Sequence, residues 1–482
     1  MCGKAGAWAL RYHRFKGQNR RNHKQTAPQA SLGGSSLRAK TTRRHVLAGS
    51  AVAVFGSALP VASSRAQDRH ARFKGQTVVF SVPDHPHYDA MLKLLPQFTA
   101  ETGIKVEVAR DNILRMKHVQ MADLGKAQSS FDLVTFIATW KGEYVKKKLI
   151  APLEGFFANR QLADPDYAFA DLVPRYVQNI GLVGGPKGYL PGPGAALYGV
   201  PYGAETSVLA YRRDLLAKHG FAPPRNYAEL SKLLEPLQRK TGLGALTSRG
   251  QTGHNCVHAW LLHFNALGGR FFDDQWMPLF HRREGVQALE LLKRIAETGP
   301  KGIPQFSYND MLASFLQGES VMYLDSTAVF GAVRSSPLSK VEGKVSFALH
   351  PQGTRYASQS GGLGLAIARN SARSEAAFLL MQWLTSKAQD KAVVRHGGGP
   401  SRVSTLADAD MVRQFPEFIT LKEQLRYVDL DWRPIIAEWD EINTGPLGAA
   451  IHQGMTGIKP ADKALGDIVR RVNDIMTAAG FH

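Results

Sequence analysis

Cysteine is nearly absent: the 482 residues contain two, Cys2 and Cys256. That excludes a small scaffold held by disulfides, and because no Cys follows the uncharged stretch Val46 to Ala62, a lipid-anchored lipoprotein is not expected. That stretch is the chain's long apolar run, and it is too short and too rich in Gly, Ala and Ser for a permanent membrane span. Carboxylates are missing from the first 67 residues, which carry twelve Lys and Arg and account for all but eight of the formal net charge of +20. With that segment set aside, no dense basic face with interleaved aromatics remains, and a nucleic-acid partner is not expected. Gly-x-Ser-x-Gly, His-Glu-x-x-His, a phosphate loop, a Cys cluster and a solenoid-period repeat are also missing, which argues against common hydrolases, metalloenzymes and repeat scaffolds.

What is present begins with Arg43-Arg44 ahead of the apolar stretch, with small residues at Ser64-Arg65-Ala66 before Gln67. This pattern resembles a twin-arginine export signal cleaved after Ala66; a Sec signal with a basic n-region is the alternative. Either predicts export to the periplasm. The preceding Met1 to Lys40 reads as a disordered segment or an overlong start. About 415 residues remain, more than one hydrophobic core usually supports, so two lobes are expected.

The mature chain opens with a βαβ rhythm. Gln76 to Val82 is an apolar, β-branched run ending at Pro83, a helical stretch from Tyr88 to Thr102 stops at Gly103, and Lys105 to Ala109 resumes as a strand. Phe131 to Ile137 is a third strand, whose carboxyl end delivers Thr139 and Trp140 to the edge where open α/β sheets bind ligands. Residues 165 to 201 are rich in Gly and Pro and read as a long irregular connection. Strand character returns over 197 to 214 and runs into a helix, and helical patterns recur at 227–240, 258–267, 284–298, 309–317, 374–386 and 460–479.

The stretch Tyr198 to Asp214 resembles the core of the family-1 extracellular solute-binding proteins, the maltose-binding type of sugar receptor of ABC importers. It has a Pro-aromatic-Gly turn, a carboxylate, a strand ending in Tyr, then a basic residue and Asp opening a helix. Asp132 to Leu153, Phe315 to Phe330, Gly361 to Arg402 and the C-terminal Ile451 to Gly457 with Ala461 to Leu465 resemble the family in the same order. The resemblance implies an α/β, two-lobed periplasmic binding protein fold with a ligand cleft between lobes. The implied division is a signal segment at 1–66, lobe 1 at 67–201 plus 350–398, and lobe 2 at 202–349 plus 399–482, with crossings near 201–205, 349–351 and 397–401. It also implies a monomeric periplasmic receptor that captures a sugar or polyol and hands it to an inner-membrane ABC permease and its ATPase, catalysing nothing itself.

A sugar or polyol offers apolar C–H faces and a rim of hydroxyls, so its site needs stacking rings and planar acceptors and donors. Trp140 suits stacking, or is core. Glu205, beside the first crossing, accepts two hydroxyl hydrogens or closes a hinge salt bridge. Tyr202 is a second platform or hinge packing. His85 lies in Pro83-Asp-His-Pro-His-Tyr88 after the first strand; with Asp84 and His87 it suggests a metal, but no further ligands stand at diagnostic spacing, so hydrogen bonding is preferred and neither metal nor cofactor is expected. His258 follows a helix start at Gly253, Asp325 ends the strand from Ser320, and Gly361 and Gly362 open the strand to Ala368 or form a bulge there. Trp432-Arg433 covers the cleft or docks the C-terminal helices. The competing class is a periplasmic glycoside-processing enzyme, for which Glu205 and Asp325 would be the dispersed carboxylate pair.

Overall fold

The computed structural model describes residues 69–482. The paired arginines, the apolar stretch and the cleavage point after Ala66 lie outside the described residues. Within them the strands are β1 (Thr77–Pro83), β2 (Lys105–Asp111), β3 (Leu133–Ile137), β4 (Leu182–Val183), β5 (Ala196–Leu197), β6 (Val200–Arg212), β7 (Gly244–Thr247), β8 (Ser320–Ser326), β9 (Val345–Ala348) and β10 (Ser360–Ile367).

The expected βαβ opening forms, with β1 parallel to both β2 and β3. The intervening helical stretch is two helices, Pro86–Leu92 and Leu95–Thr102, because Pro96 has no amide hydrogen to continue the ladder and instead starts the second. Gly103 closes that helix at φ 71°, and its amide returns to the Thr99 carbonyl.

The sheet then departs from sequence order. β10, some 220 residues further along, inserts antiparallel between β3 and β6. β6 belongs to both halves of the molecule: residues 200–206 pair with β10, while 207–212 pair with β8 and β9, and β7 adds parallel to β8. One 13-residue strand therefore carries the chain from the first lobe into the second, and the α/β, two-lobed architecture follows from it. Separate cores serve the two ends. Val78, Phe80, Phe98 and Phe378 pack around β1, whereas Trp260, Phe264, Leu292 and Trp439 pack on the far side. A third cluster, containing Phe136, Val208, Phe315 and Tyr323, runs along β6 between them.

Where β10 meets β6 the register slips between Gly362 and Gly364, a bulge. Gly362 sits at φ 82° and Gly203 opposite at φ 75°. A Cβ on Gly362 would stand 2.5 Å from the Gly203 carbonyl oxygen and 2.7 Å from the Glu205 nitrogen, so only glycine fits there.

Two other expectations are refined. The Gly- and Pro-rich connection is not wholly irregular: it contains short turns at Phe169–Asp171 and Pro174–Tyr176, a π-turn at Val177–Gly181 and the β4–β5 ribbon. The helix expected over 460–479 is broken into Ala461–Gly466 and Val469–Ala478, with Gly466 at the break. No helix among the described residues is long and apolar enough to cross a membrane.

Candidate functional site

The carboxyl ends of β1, β3 and β7 and the central part of β6 converge on a cleft with about 910 Å³ of empty space, partly open to solvent. Four of the residues singled out from sequence line it: His85, Glu205, His258 and Gly362. Each is placed by a local rule. His85 is the N-cap of Pro86–Leu92, its Nδ1 accepting from the His87 amide at 3.2 Å. That bond leaves the proton on Nε2, which donates to Glu205 Oε1 at 3.0 Å. Glu205 stands at the middle of β6 beside the bulge, with its second carboxylate oxygen outside that bond.

His258 lies one turn into His254–Ala266 and is buried. Burial and the Arg249 guanidinium push its pKa down to about 4, so it is neutral at physiological pH. Neither ring nitrogen has a hydrogen-bond partner among the described residues. Its Nε2 lies 3.6 Å from Asp325 Oδ1.

Asp325 itself does not line the cleft. It falls inside β8 rather than at its end and is fully engaged by Arg249, with Nε to Oδ2 at 2.9 Å and Nη2 to Oδ1 at 2.5 Å. Burial opposes the carboxylate's charge, but Arg249 and His258 outweigh it and hold the pKa well below the usual carboxylate range. With both oxygens held by Arg249 and the side chain off the cavity wall, Asp325 is not placed to act with Glu205 across a glycosidic bond. Asp325 acts through Arg249, which does face the cleft and lies over the Tyr308 ring at 4.7 Å.

The structure does not bring the other sequence candidates to the cavity wall. Trp140 and Thr139 form the 3₁₀ turn Ala138–Trp140 after β3, and both are buried. The Trp140 ring packs on Tyr144 at 6.0 Å. Tyr202 points into the hinge, edge-on to His87 at 4.3 Å, while its carbonyl accepts from Tyr88 Oη at 3.3 Å. His87 in turn accepts from the Gly399 amide at 3.1 Å, and burial pushes its pKa down to about 3. Gly361 pairs with Glu205 and faces Arg433. Among the described residues no group of three or more His, Cys, Asp or Glu could hold a metal ion.

Arg249 and Tyr308 do not stand out in the sequence as ligand contacts, yet both line the cleft. Arg249 follows the carboxyl end of β7, the position that drew attention to Trp140, but β7 is only four residues long and gives little strand signal. Tyr308 opens the helix Tyr308–Gln317 directly after its capping residue Ser307. In Trp432-Arg433 both roles weighed from sequence occur: Trp432 is buried in the second core and Arg433 lines the cleft.

Comparison with known proteins identifies the wider family. The family model described as bacterial extracellular solute-binding protein matches residues 83–391. A probable amino-acid ABC transporter periplasmic-binding protein of Sinorhizobium fredii is 26% identical over 455 residues, covering 91% of this chain and 99% of its own length. The mannitol-binding protein of Pseudomonas aeruginosa is 27% identical over 414 residues, 81% of this chain and 90% of its own. Among solved structures, an ABC transporter solute-binding protein of Agrobacterium vitis with bound D-mannitol superposes with a TM-score of 0.73 at 25% identity, covering 84% of this chain and 99% of that one.

Proposed function

From the premise that this chain belongs to the bacterial extracellular solute-binding proteins, we propose that it is the monomeric periplasmic receptor of an ABC importer for an open-chain, polyhydroxylated solute. The observation that carries this reading is the makeup of the cleft wall. Glu205, Arg249, Asn255, His258 and Arg433 supply planar acceptors and donors, whereas the one Phe, Tyr or Trp ring among the described lining residues, Tyr308, is already packed against Arg249 and His85. A cyclic sugar draws much of its affinity from stacking on an open ring face; an extended polyol exposes hydroxyls on all sides and suits side chains that accept and donate. The mannitol-binding relatives point the same way.

In this reading the lobes close about β6 when the solute bridges them, and the closed form is what the permease and its ATPase engage. The lobe division at 67–201 plus 350–398 and 202–349 plus 399–482 remains part of the proposal. The pairing of Ser360 with Thr206 favours a second crossing up to ten residues later than 349–351.

A thermal-shift panel of alditols, sugars, aldonates and amino acids tests the reading, since a solute at 100 times its dissociation constant stabilises by about 2.7 kcal/mol. With D-mannitol as the probe, Glu205→Gln should weaken binding by about 1.5 kcal/mol, because the amide retains the shape but loses charge-assisted acceptance. Unchanged calorimetric affinity would remove Glu205 from the site.

Export belongs to the same proposal: Arg43-Arg44 and the apolar stretch after it support the twin-arginine route, with cleavage after Ala66. Replacing both arginines by Lys should stop periplasmic accumulation. Normal accumulation in cells lacking that translocon would assign the signal to Sec.

A further inference from the structure

The charged groups at the cleft are not all held by a partner in contact. Asp84, at the rim, pairs with Arg110. Glu205 is hydrogen-bonded to His85, and Arg249 is bound through two bonds to Asp325. His254 and His258 are neutral: burial is the main cause in each, reinforced by the neighbouring charges. Arg433 alone, 2% exposed, has no carboxylate within ion-pair distance and no hydrogen-bond acceptor among the described residues, and its Nε is buried without a partner. The guanidinium carbon lies 4.4 Å from the centre of the Trp432 ring, and that indole is anchored by donation to the Ser360 carbonyl at 2.5 Å.

Keeping an uncompensated guanidinium out of water is costly, and buried donors without acceptors are rare in folded chains. Here the surroundings sharpen the cost. Burial is the main cause pushing the Arg433 pKa down to about 9, and the repulsion from Arg249 exceeds the attraction from Glu205. The cleft wall at Arg433 is therefore electropositive although Glu205 lines the same cavity. A neutral solute could take up the free N–H groups but would leave the guanidinium without a counter-charge in contact once the lobes enclose it, since Glu205 lies beyond ion-pair distance. A carboxylate answers both needs, since the planar guanidinium fork matches its two oxygens.

We infer that the solute is a polyhydroxylated carboxylic acid of the aldonate class, its carboxylate seated on Arg433 and its hydroxyl chain running toward Glu205 and His258. This rests on the polyhydroxylated-solute reading above and narrows it. The Glu205 carboxylate would receive hydroxyl hydrogens at the far end of the chain, away from the acid group. His258, whose Nδ1 has no partner among the described residues, is placed to meet the hydroxyls between.

The test is calorimetric titration of the purified protein with D-mannonate and with D-mannitol, which share a carbon chain and differ at one terminus. Wild type should bind mannonate at least about tenfold more tightly than mannitol, the difference expected of one charge-assisted bidentate contact. Arg433→Gln should reduce that preference to near unity, the ratio of the two affinities in one protein being the readout. Arg433→Lys, which retains the charge without the fork, should keep part of it; if the Gln variant does not fold, the wild-type preference and the Lys variant decide. Equal binding of the two solutes by wild type, or an undiminished preference in Arg433→Gln, overturns the inference and leaves the polyol receptor standing. If neither binds while amino acids or cyclic sugars do, the reading beneath it falls as well.

Discussion

Asp325→Ala should cost the folded protein about 3–5 kcal/mol, the range found when one partner of a buried ion pair is removed. The loss follows from what remains: Arg249, 6% exposed, would keep its charge and lose the acceptors of two hydrogen bonds on the side away from the cleft, where Asp325 is 1% exposed. Asp325→Asn should lose most of the same amount, because the amide retains the shape but not the charge. Replacing both residues with apolar side chains of similar volume should recover much of it, as buried pairs exchanged whole are often near neutral. The pH dependence has a definite sign. The folded carboxyl pKa lies below its unfolded value, so its contribution is complete above about pH 4 and is lost only as the pH falls toward the depressed folded value. Denaturant unfolding of the variants at neutral pH checks the claim. An Asp325→Ala protein within about 1 kcal/mol of wild type would mean that Arg249 has another counter-charge.

The pairing of Arg249 with Asp325, 76 residues apart, also marks how far the sequence could be read. Locally determined features were legible. The β-branched run before Pro83 became β1, Gly103 ended its helix in the left-handed conformation, and the ends of recognisable strands led to His85 and, through the resemblance, to Glu205. Long-range pairings were not legible. Nothing in the composition of Ser360–Ile367 says that it lies between β3 and β6, because an apolar strand buried on both faces carries no mark of its neighbours. The bulge at Gly362 depends on that insertion, and so does the approach of Gly361 to Arg433. Asp325 was read as a contact because strand-end carboxylates often face clefts. One further ladder pair, Ser326 with Ser207, keeps it inside β8, where it meets an arginine that follows a strand of only four residues.

Trp140→Ala separates a strand-end tryptophan that stacks on solute from one that holds the lobe together. The ring is 4% exposed and packs on Tyr144, with the Lys117 ammonium 5.9 Å from its centre. Lys117 is fixed between Glu143 and Asp440, each at 2.9 Å. Tyr144 donates to Gln120, whose amide reaches Ser81 on β1 and the Thr135 carbonyl on β3. The indole thus covers the polar network that ties the helix Ile113–Leu124 to two strands of the first lobe. Truncation leaves a void beside that network and should cost about 3–5 kcal/mol of stability, the usual range for a buried Phe or Trp replaced by Ala. The solute affinity of the folded fraction should change by less than about threefold, since the ring does not reach the cavity. A stacking residue would give the reverse pattern, with near wild-type unfolding and a loss of binding of about 1–3 kcal/mol. Chemical unfolding and calorimetry on the same preparation distinguish the two, and the second pattern would place Trp140 at the solute after all.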